Sequence, residues 1–198
     1  MVIKLETKRL ILRKPRKSDA KIFDKNNDNV ATRDFFMPYP QKDGDFEGLI
    51  KICMEEWERK KRYWFVLVLK ETKEIIGLSG VKNIKKYNKT GYLSSWIFKK
   101  YRRKGYLTEA KIAINDFCFE VLKLRKLKSE VATFNKSSLA LQSKFGMKKE
   151  GISKKENYNS YLKKYADMKW FALFKEDWKK VLPELKKDLQ KKIKLLNK

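Results

Sequence analysis

The sequence predicts a mixed α/β fold, an α+β arrangement around one sheet and not a doubly wound one. Three observations carry this. Candidate strands come first along the chain and the main helices are inserted late. Only 8 Gly and 4 Pro punctuate 198 residues, too few for a turn-dense all-β chain. Aromatics at 13% and apolar residues at 42% supply the core of one ordinary domain despite 37% charged residues.

The elements follow in order. Arg9-Leu10-Ile11-Leu12-Arg13 alternates as a first strand, and Ser18-Asp19-Ala20 is a cap opening a helix that reaches Asn26. Pro38 and Pro40 mark a loop. From Asp45 to Lys61, Phe46, Leu49, Ile50, Cys53, Met54 and Trp57 fall on one helical face. Tyr63 to Leu69 and Ile75 to Ile84, rich in β-branched and aromatic residues around a polar turn, form a hairpin, and a fourth strand runs from Thr90 to Phe98. A central helix spans Thr108 to Leu122, with Ala110, Ala113, Ile114, Phe117, Cys118 and Val121 on one face. Leu127 to Phe134 is a strand and Ser137 to Phe145 a short helix; Met147 to Ile152 and Lys164 to Phe174 are strands flanking a polar Asn/Tyr/Ser loop. Beyond Trp178, the residues Leu182, Leu185, Leu189, Ile193 and Leu196 form the stripe of a basic amphipathic helix, with Pro183 tolerated in a first turn. The expected organisation is one domain over 1–178 and a helical extension over 179–198.

Composition removes whole mechanisms. With no histidine, neither a Ser-His-Asp nor a Cys-His nucleophile can be assembled, and acid–base work falls to carboxylates, Tyr, Cys, Lys, hydroxyls or water. Cys53 and Cys118 are too few for a zinc framework and read as buried free thiols, so no metal is expected. Charges thread the first ten residues, and the longest apolar run, Trp64 to Leu69, is too short for a membrane span. A reducing, cytoplasmic protein with no membrane partner is the expectation. The net charge of +26 comes from 50 Lys+Arg against 24 Asp+Glu, and only 9 of the cations are Arg. Spread along the whole chain, it fits either a general lysine bias or nucleic-acid binding, and both readings stay open.

One segment carries chemistry. Tyr101-Arg102-Arg103-Lys104-Gly105-Tyr106-Leu107-Thr108-Glu109-Ala110 joins a strand to an amphipathic helix. A glycine, a basic cluster and free amides at a helix N-terminus favour an anion. The patterns G-x-x-x-x-G-K-[ST] and G-x-G-x-x-G are both absent, which excludes the nucleoside-triphosphate loop and the dinucleotide fingerprint.

Arg102-x-x-Gly105-x-Leu107, followed by Thr108-Glu109-Ala110, resembles the acetyl-CoA pyrophosphate loop of the GNAT N-acetyltransferase superfamily. Other segments are similar to its RimJ/RimL-like branch, the ribosomal-protein and N-terminal acetyltransferases. They are Glu6 to Arg13, Asn27 to Pro40, Ile76-Gly77-Leu78-Ser79-Gly80, Asn135-x-x-Ser138, Lys144 to Gly151, Asp167 and Asp177-Trp178, so that the resemblance spans residues 6 to 178. It implies a three-layer fold whose central mixed, mostly antiparallel sheet splays between its fourth and fifth strands, with acetyl-CoA as co-substrate in the opening.

By the same resemblance, Trp96, Ile97 and Phe98 would offer backbone amides to the pantetheine and thioester. The loop of Arg102, Arg103, Lys104, Gly105, Tyr106, Leu107 and Thr108 would take the pyrophosphate. Asn135 and Ser138 would contact the pantetheine arm or sulfur, and Lys144 the adenine-side phosphates. The chemistry implied is direct attack by an amine in a ternary complex, with the amide of Ile97 or Phe98 stabilising the acyl oxygen. Glu130 is a candidate base acting through water; the alternative is a carboxylate on a solvated sheet face. Many family members carry a Tyr seven residues beyond the Asn, and here that position is Gln142, so Ser138 would hydrogen-bond the thiolate, with water an equal rival. Arg103 replaces an expected Gly, Leu107 stands where Gly or Ala is common, and the fourth strand lacks an obvious Glu.

The expected function is transfer of an acetyl group to a primary amine, a protein N-terminal α-amine first and a small-molecule amine as the alternative acceptor. The competing reading is a catalytically idle module of the same fold that binds RNA or an acidic protein. A peptide or protein acceptor near ribosomal RNA, and a homodimer through the last helix, complete the expected partners.

Overall fold

A computed structural model describes residues 3–26, 46–159 and 162–196; the loop at Pro38 and Pro40 and the Asn27–Pro40 segment lie outside them. Eight strands form one sheet in the order β1-β2-β3-β4-β5-β6-β8-β7. They are β1 (Leu5–Glu6), β2 (Leu10–Arg13), β3 (Tyr63–Leu69), β4 (Ile75–Lys85), β5 (Thr90–Ile97), β6 (Lys126–Ala132), β7 (Lys148–Asn159) and β8 (Lys164–Phe174). The helices are α1 (Ala20–Lys25), α2 (Phe46–Glu58), α3 (Tyr106–Asp116), α4 (Lys136–Lys144) and α5 (Lys175–Leu196). Every neighbouring pair is antiparallel except β5 and β6.

That exception makes the opening. β5 and β6 pair only through Thr90, Gly91 and Tyr92 with Lys126, Leu127 and Lys128. β5 runs on to Ile97 and β6 to Ala132, so their facing edges part beyond Tyr92 and Lys128. A parallel pair needs a long crossover, and α3 supplies it. The splay expected between the fourth and fifth strands thus lies between β5 and β6, shifted by one because the two-residue β1 was not foreseen.

Side-chain chemistry explains the scaffold. All seven residues of β3 are buried, as in a strand covered on both faces. Where β3 and β4 approach, a Cβ at Gly80 would fall 1.9 Å from the Tyr63 carbonyl oxygen, so only glycine fits. Within the predicted Ser18-Asp19-Ala20 cap, Asp19 is the N-cap residue of α1. Its carboxylate accepts 2.8 Å bonds from both Arg13 guanidinium nitrogens and a 2.7 Å bond from the Arg16 amide, closing a 3-10 turn ahead of α1. Phe23 of α1 meets Phe46 of α2, Trp96 and Phe98 at ring separations of 5.5–5.6 Å. Cys53 and Cys118 are buried free thiols; burial pushes both up, Cys53 to about 12.

Three boundaries differ from expectation. The central helix starts at Tyr106 and turns π-helical over Phe117–Val121. The polar segment after Ile152 continues β7 to Asn159, because the backbone ladder with β8 holds it without apolar side chains. α5 begins at Lys175 and lies across α3 and α4. Trp178 donates from Nε1 to Asp116 at 2.8 Å and stacks on Phe145 at 6.0 Å, while Leu185 and Ile193 are buried. Each such apolar side chain contributes roughly 1.5–3 kcal/mol. Of the two readings for this stripe, its own domain or a sister subunit, the structure shows it largely packed on its own domain; of its five residues only Leu196 is exposed.

Candidate functional site

The loop from Arg102 to Gly105 turns sharply between a 3-10 turn (Lys99–Tyr101) and α3. Arg103 has φ 61° and Gly105 φ 81°, both left-handed, and Gly105 caps α3 without a side-chain hydrogen bond. The Arg102 amide donates to Lys99 at 3.1 Å, and the first helical bond runs from the Glu109 amide to Gly105 at 3.0 Å. Among the described residues, no carbonyl accepts from the amides of Arg103 to Thr108. These amides, without a carbonyl partner among the described residues, and the exposed cations Arg102, Arg103 and Lys104 suit a phosphate group.

At the end of β5 the two candidate amides differ. The Phe98 amide donates to the Ile76 carbonyl at 2.9 Å and is engaged across the sheet. In an antiparallel ladder donors alternate sides, which turns the Ile97 amide away from β4 and toward the opening. Arg102 Nε donates to the Ile97 carbonyl at 3.1 Å and fixes that residue. Trp96 and Phe98 bring buried rings instead, 5.0 Å apart.

Asn135 is the N-cap of α4: its Oδ1 accepts from the Ser138 amide at 3.1 Å and from the Ser137 hydroxyl at 3.0 Å. Ser138 Oγ faces a long 3.5 Å contact from Gln142 Nε2, which leaves its own hydrogen available to donate. Gln142 is buried and its Oε1 has no partner. Lys144 is exposed and pairs at the surface with Asp188 of α5 at 3.2 Å.

Glu130 stands opposite Trp170 in the β6–β8 register, on the sheet face shared with Lys128, whose parallel partner is Tyr92; Trp96 lies on that same face of β5. Burial pushes its carboxyl above the usual range, the Glu156 charge adds to this, and Lys82 and a 3.4 Å bond from Asn157 Nδ2 oppose it. Glu156 and Asn157 were passed over as loop residues. A bulge between Ser153 and Asn157 sits beside them, where Lys155 at φ 50° donates its amide to Asp167 at 2.9 Å. Arg9 was also missed as a site residue, and it clamps the loop through Nη1 to the Lys104 carbonyl at 3.0 Å. The structure thus gathers Arg102 to Thr108 and Ile97 at one end of the opening, with Glu130 on the face of β6 that Trp96 shares.

A splayed mixed sheet with an amide-rich basic loop at a crossover helix is an anion-binding cleft of the kind implied by the resemblance to the GNAT acyltransferases. Residues 9–148 match the family model for the acetyltransferase (GNAT) domain, and the chain belongs to that family. It is an N-acetyltransferase, and its family uses acetyl-CoA as co-substrate. It is 26% identical over 157 residues to the uncharacterized N-acetyltransferase YoaA of Bacillus subtilis (strain 168), covering 79% of this chain and 89% of that one. The ribosomal-protein-S5-alanine acetyltransferase from Vibrio fischeri shares its fold with a TM-score of 0.74 at 22% identity, covering 89% of this chain and 98% of the other. The spermidine N-acetyltransferase SpeG from Vibrio cholerae does so with a TM-score of 0.73 at 20% identity, covering 87% and 97%.

Proposed function

We propose that this chain acetylates the α-amine at the N-terminus of a protein in the cytoplasm, with residues 1–178 as the catalytic domain and 179–198 as its helical extension. The observation that carries the site is the end of β5–β6 pairing at Tyr92 beside six amides without carbonyl partners. The bound co-substrate supplies an activated thioester acyl group. The amides and cations of Arg102 to Thr108 hold its phosphates. The Ile97 amide, braced by Arg102, donates to the acyl oxygen as charge develops there, worth about 3 kcal/mol for such a donor. Glu130 takes the amine proton through water, and the Ser138 hydroxyl donates to the departing sulfur.

A protein acceptor is supported by the fold shared with the ribosomal-protein-S5-alanine acetyltransferase, and by the +26 charge, which favours acidic peptides or a protein already on ribosomal RNA. A small amine is the second reading, favoured by the paired carboxylates Glu130 and Glu156 and by the fold shared with SpeG. Thiol release from acetyl-CoA, measured with acidic peptides bearing free N-termini and with spermidine, separates the two. Faster turnover of peptides is expected; turnover of spermidine alone overturns the protein acceptor, and RNA binding with no turnover of any amine overturns the enzyme site.

A further inference from the structure

We propose that Lys192 of α5 is a phosphate-binding residue of the acetyl-CoA site and that α5 forms the outer wall of the loop; this rests on the cofactor reading of Arg102 to Thr108. α5 lies outside the matched family segment, yet it reaches the centre of that loop. A Cβ built on Gly105 would meet Leu189 Cδ1 at 3.2 Å, Arg9 Nη2 at 3.3 Å and Lys192 Cδ at 3.6 Å. The Lys192 ammonium is two bonds beyond that Cδ, and the residue is exposed, so it can swing over the loop without dehydrating.

The stem of Lys192 lies beside Gly105, and its neighbours bear on the charge at its tip. Lys144, the cation expected at the adenine side, pairs at the surface with Asp188, which lies four residues before Lys192 on α5. Among the described residues no carboxylate pairs with Lys192. Arg9 is committed to Glu109 and to the Lys104 carbonyl, and its buried Nη2, on the same side of Gly105, has no partner. Leu189 seals the flank, which keeps water off one side of the loop and strengthens a charge-assisted bond there. α5 therefore adds by tertiary packing a cation that the loop's own sequence does not contain.

Titration calorimetry with CoA tests this without an acceptor. Lys192→Gln is expected to raise the dissociation constant about tenfold, the loss of one charge-assisted bond. Lys187→Gln, the same charge change on the opposite face of α5 from Leu189, is expected to change it less than about twofold. Both residues are exposed, and unchanged thermal melting checks the fold. Unchanged CoA affinity in Lys192→Gln, or an equal loss in Lys187→Gln, overturns the proposal while leaving the loop reading intact. No CoA binding by the wild type overturns the loop reading and this one with it.

Discussion

Arg9 and Glu109 join the start of β2 to the first turn of α3: Arg9 Nε donates to Glu109 Oε2 at 2.7 Å, with side chains only 18% and 4% exposed. The same carboxylate accepts from the Arg9 amide at 2.7 Å and the Thr7 hydroxyl at 2.6 Å. A negative charge in a first helical turn also suits the helix dipole. The pair holds the loop, because Arg9 grips the Lys104 carbonyl. Glu109→Ala strands a guanidinium that is four-fifths buried and is expected to cost about 3 kcal/mol in urea unfolding. It also loosens the loop, so CoA affinity should fall; unaltered stability would refute the role of the pair.

Lys111 is a second buried charge, and among the described residues it has no carboxylate partner. It lies in α3 with its ammonium 5.6 Å from the Phe145 ring centre, and burial pushes it down to about 8. The unfolded chain holds this proton up to the ordinary lysine range near 10.5, so between about 8 and that range the unfolded state binds more protons and stability rises with pH. Lys111→Met removes a buried charge at nearly constant volume and is expected to stabilise by ~3 kcal/mol at pH 7. The gain should shrink as pH climbs through that window; a pH-independent gain in denaturant melts would exclude this cause.

What the sequence discloses and what it hides divide along local and long-range terms. The Ile76 to Gly80 strand and the Arg102 to Thr108 loop were legible because periodicity, a glycine and free helix amides are local properties. The sequence does not distinguish the Ile97 amide from that of Phe98, because Ile76 engages the latter across the sheet and no nearby residue announces that. Glu156 and Asn157 were taken for loop because polar side chains hid a strand held by backbone pairing with β8. The Leu182 to Leu196 stripe predicted a helix but not its seat, and its seat decides that Asp188 pairs with Lys144 while Leu189 and Lys192 reach Gly105.

If Glu130 moves the amine proton, it works only when ionised, and rate rises with pH through its raised pKa. The groups facing it set that limb: Glu156 and burial push it up, Lys82 and the Asn157 amide pull it down. Glu156→Gln should therefore shift the acid limb of kcat/KM to lower pH, and Lys82→Gln to higher pH. Glu130→Gln should lower kcat about 100-fold and abolish the limb. A limb that persists in Glu130→Gln assigns the base elsewhere.

Ser138 and Gln142 separate a chemical role from a structural one within one turn of α4. The Ser138 hydroxyl has a hydrogen to give, so Ser138→Ala should lower kcat about tenfold with little change in melting temperature, and Ser138→Thr should restore most of it. Among the described residues the Gln142 side chain hydrogen-bonds only Ser138, and its buried Oε1 is unpartnered. Gln142→Leu should instead stabilise the fold by about 1 kcal/mol, by removing an unsatisfied acceptor, and cost kcat less than Ser138→Ala does. Should Ser138→Ala turn over at the wild-type rate, water protonates the thiolate. The Asn135 cap, which Ser138 retains through its backbone amide in every variant, keeps α4 in place throughout the comparison.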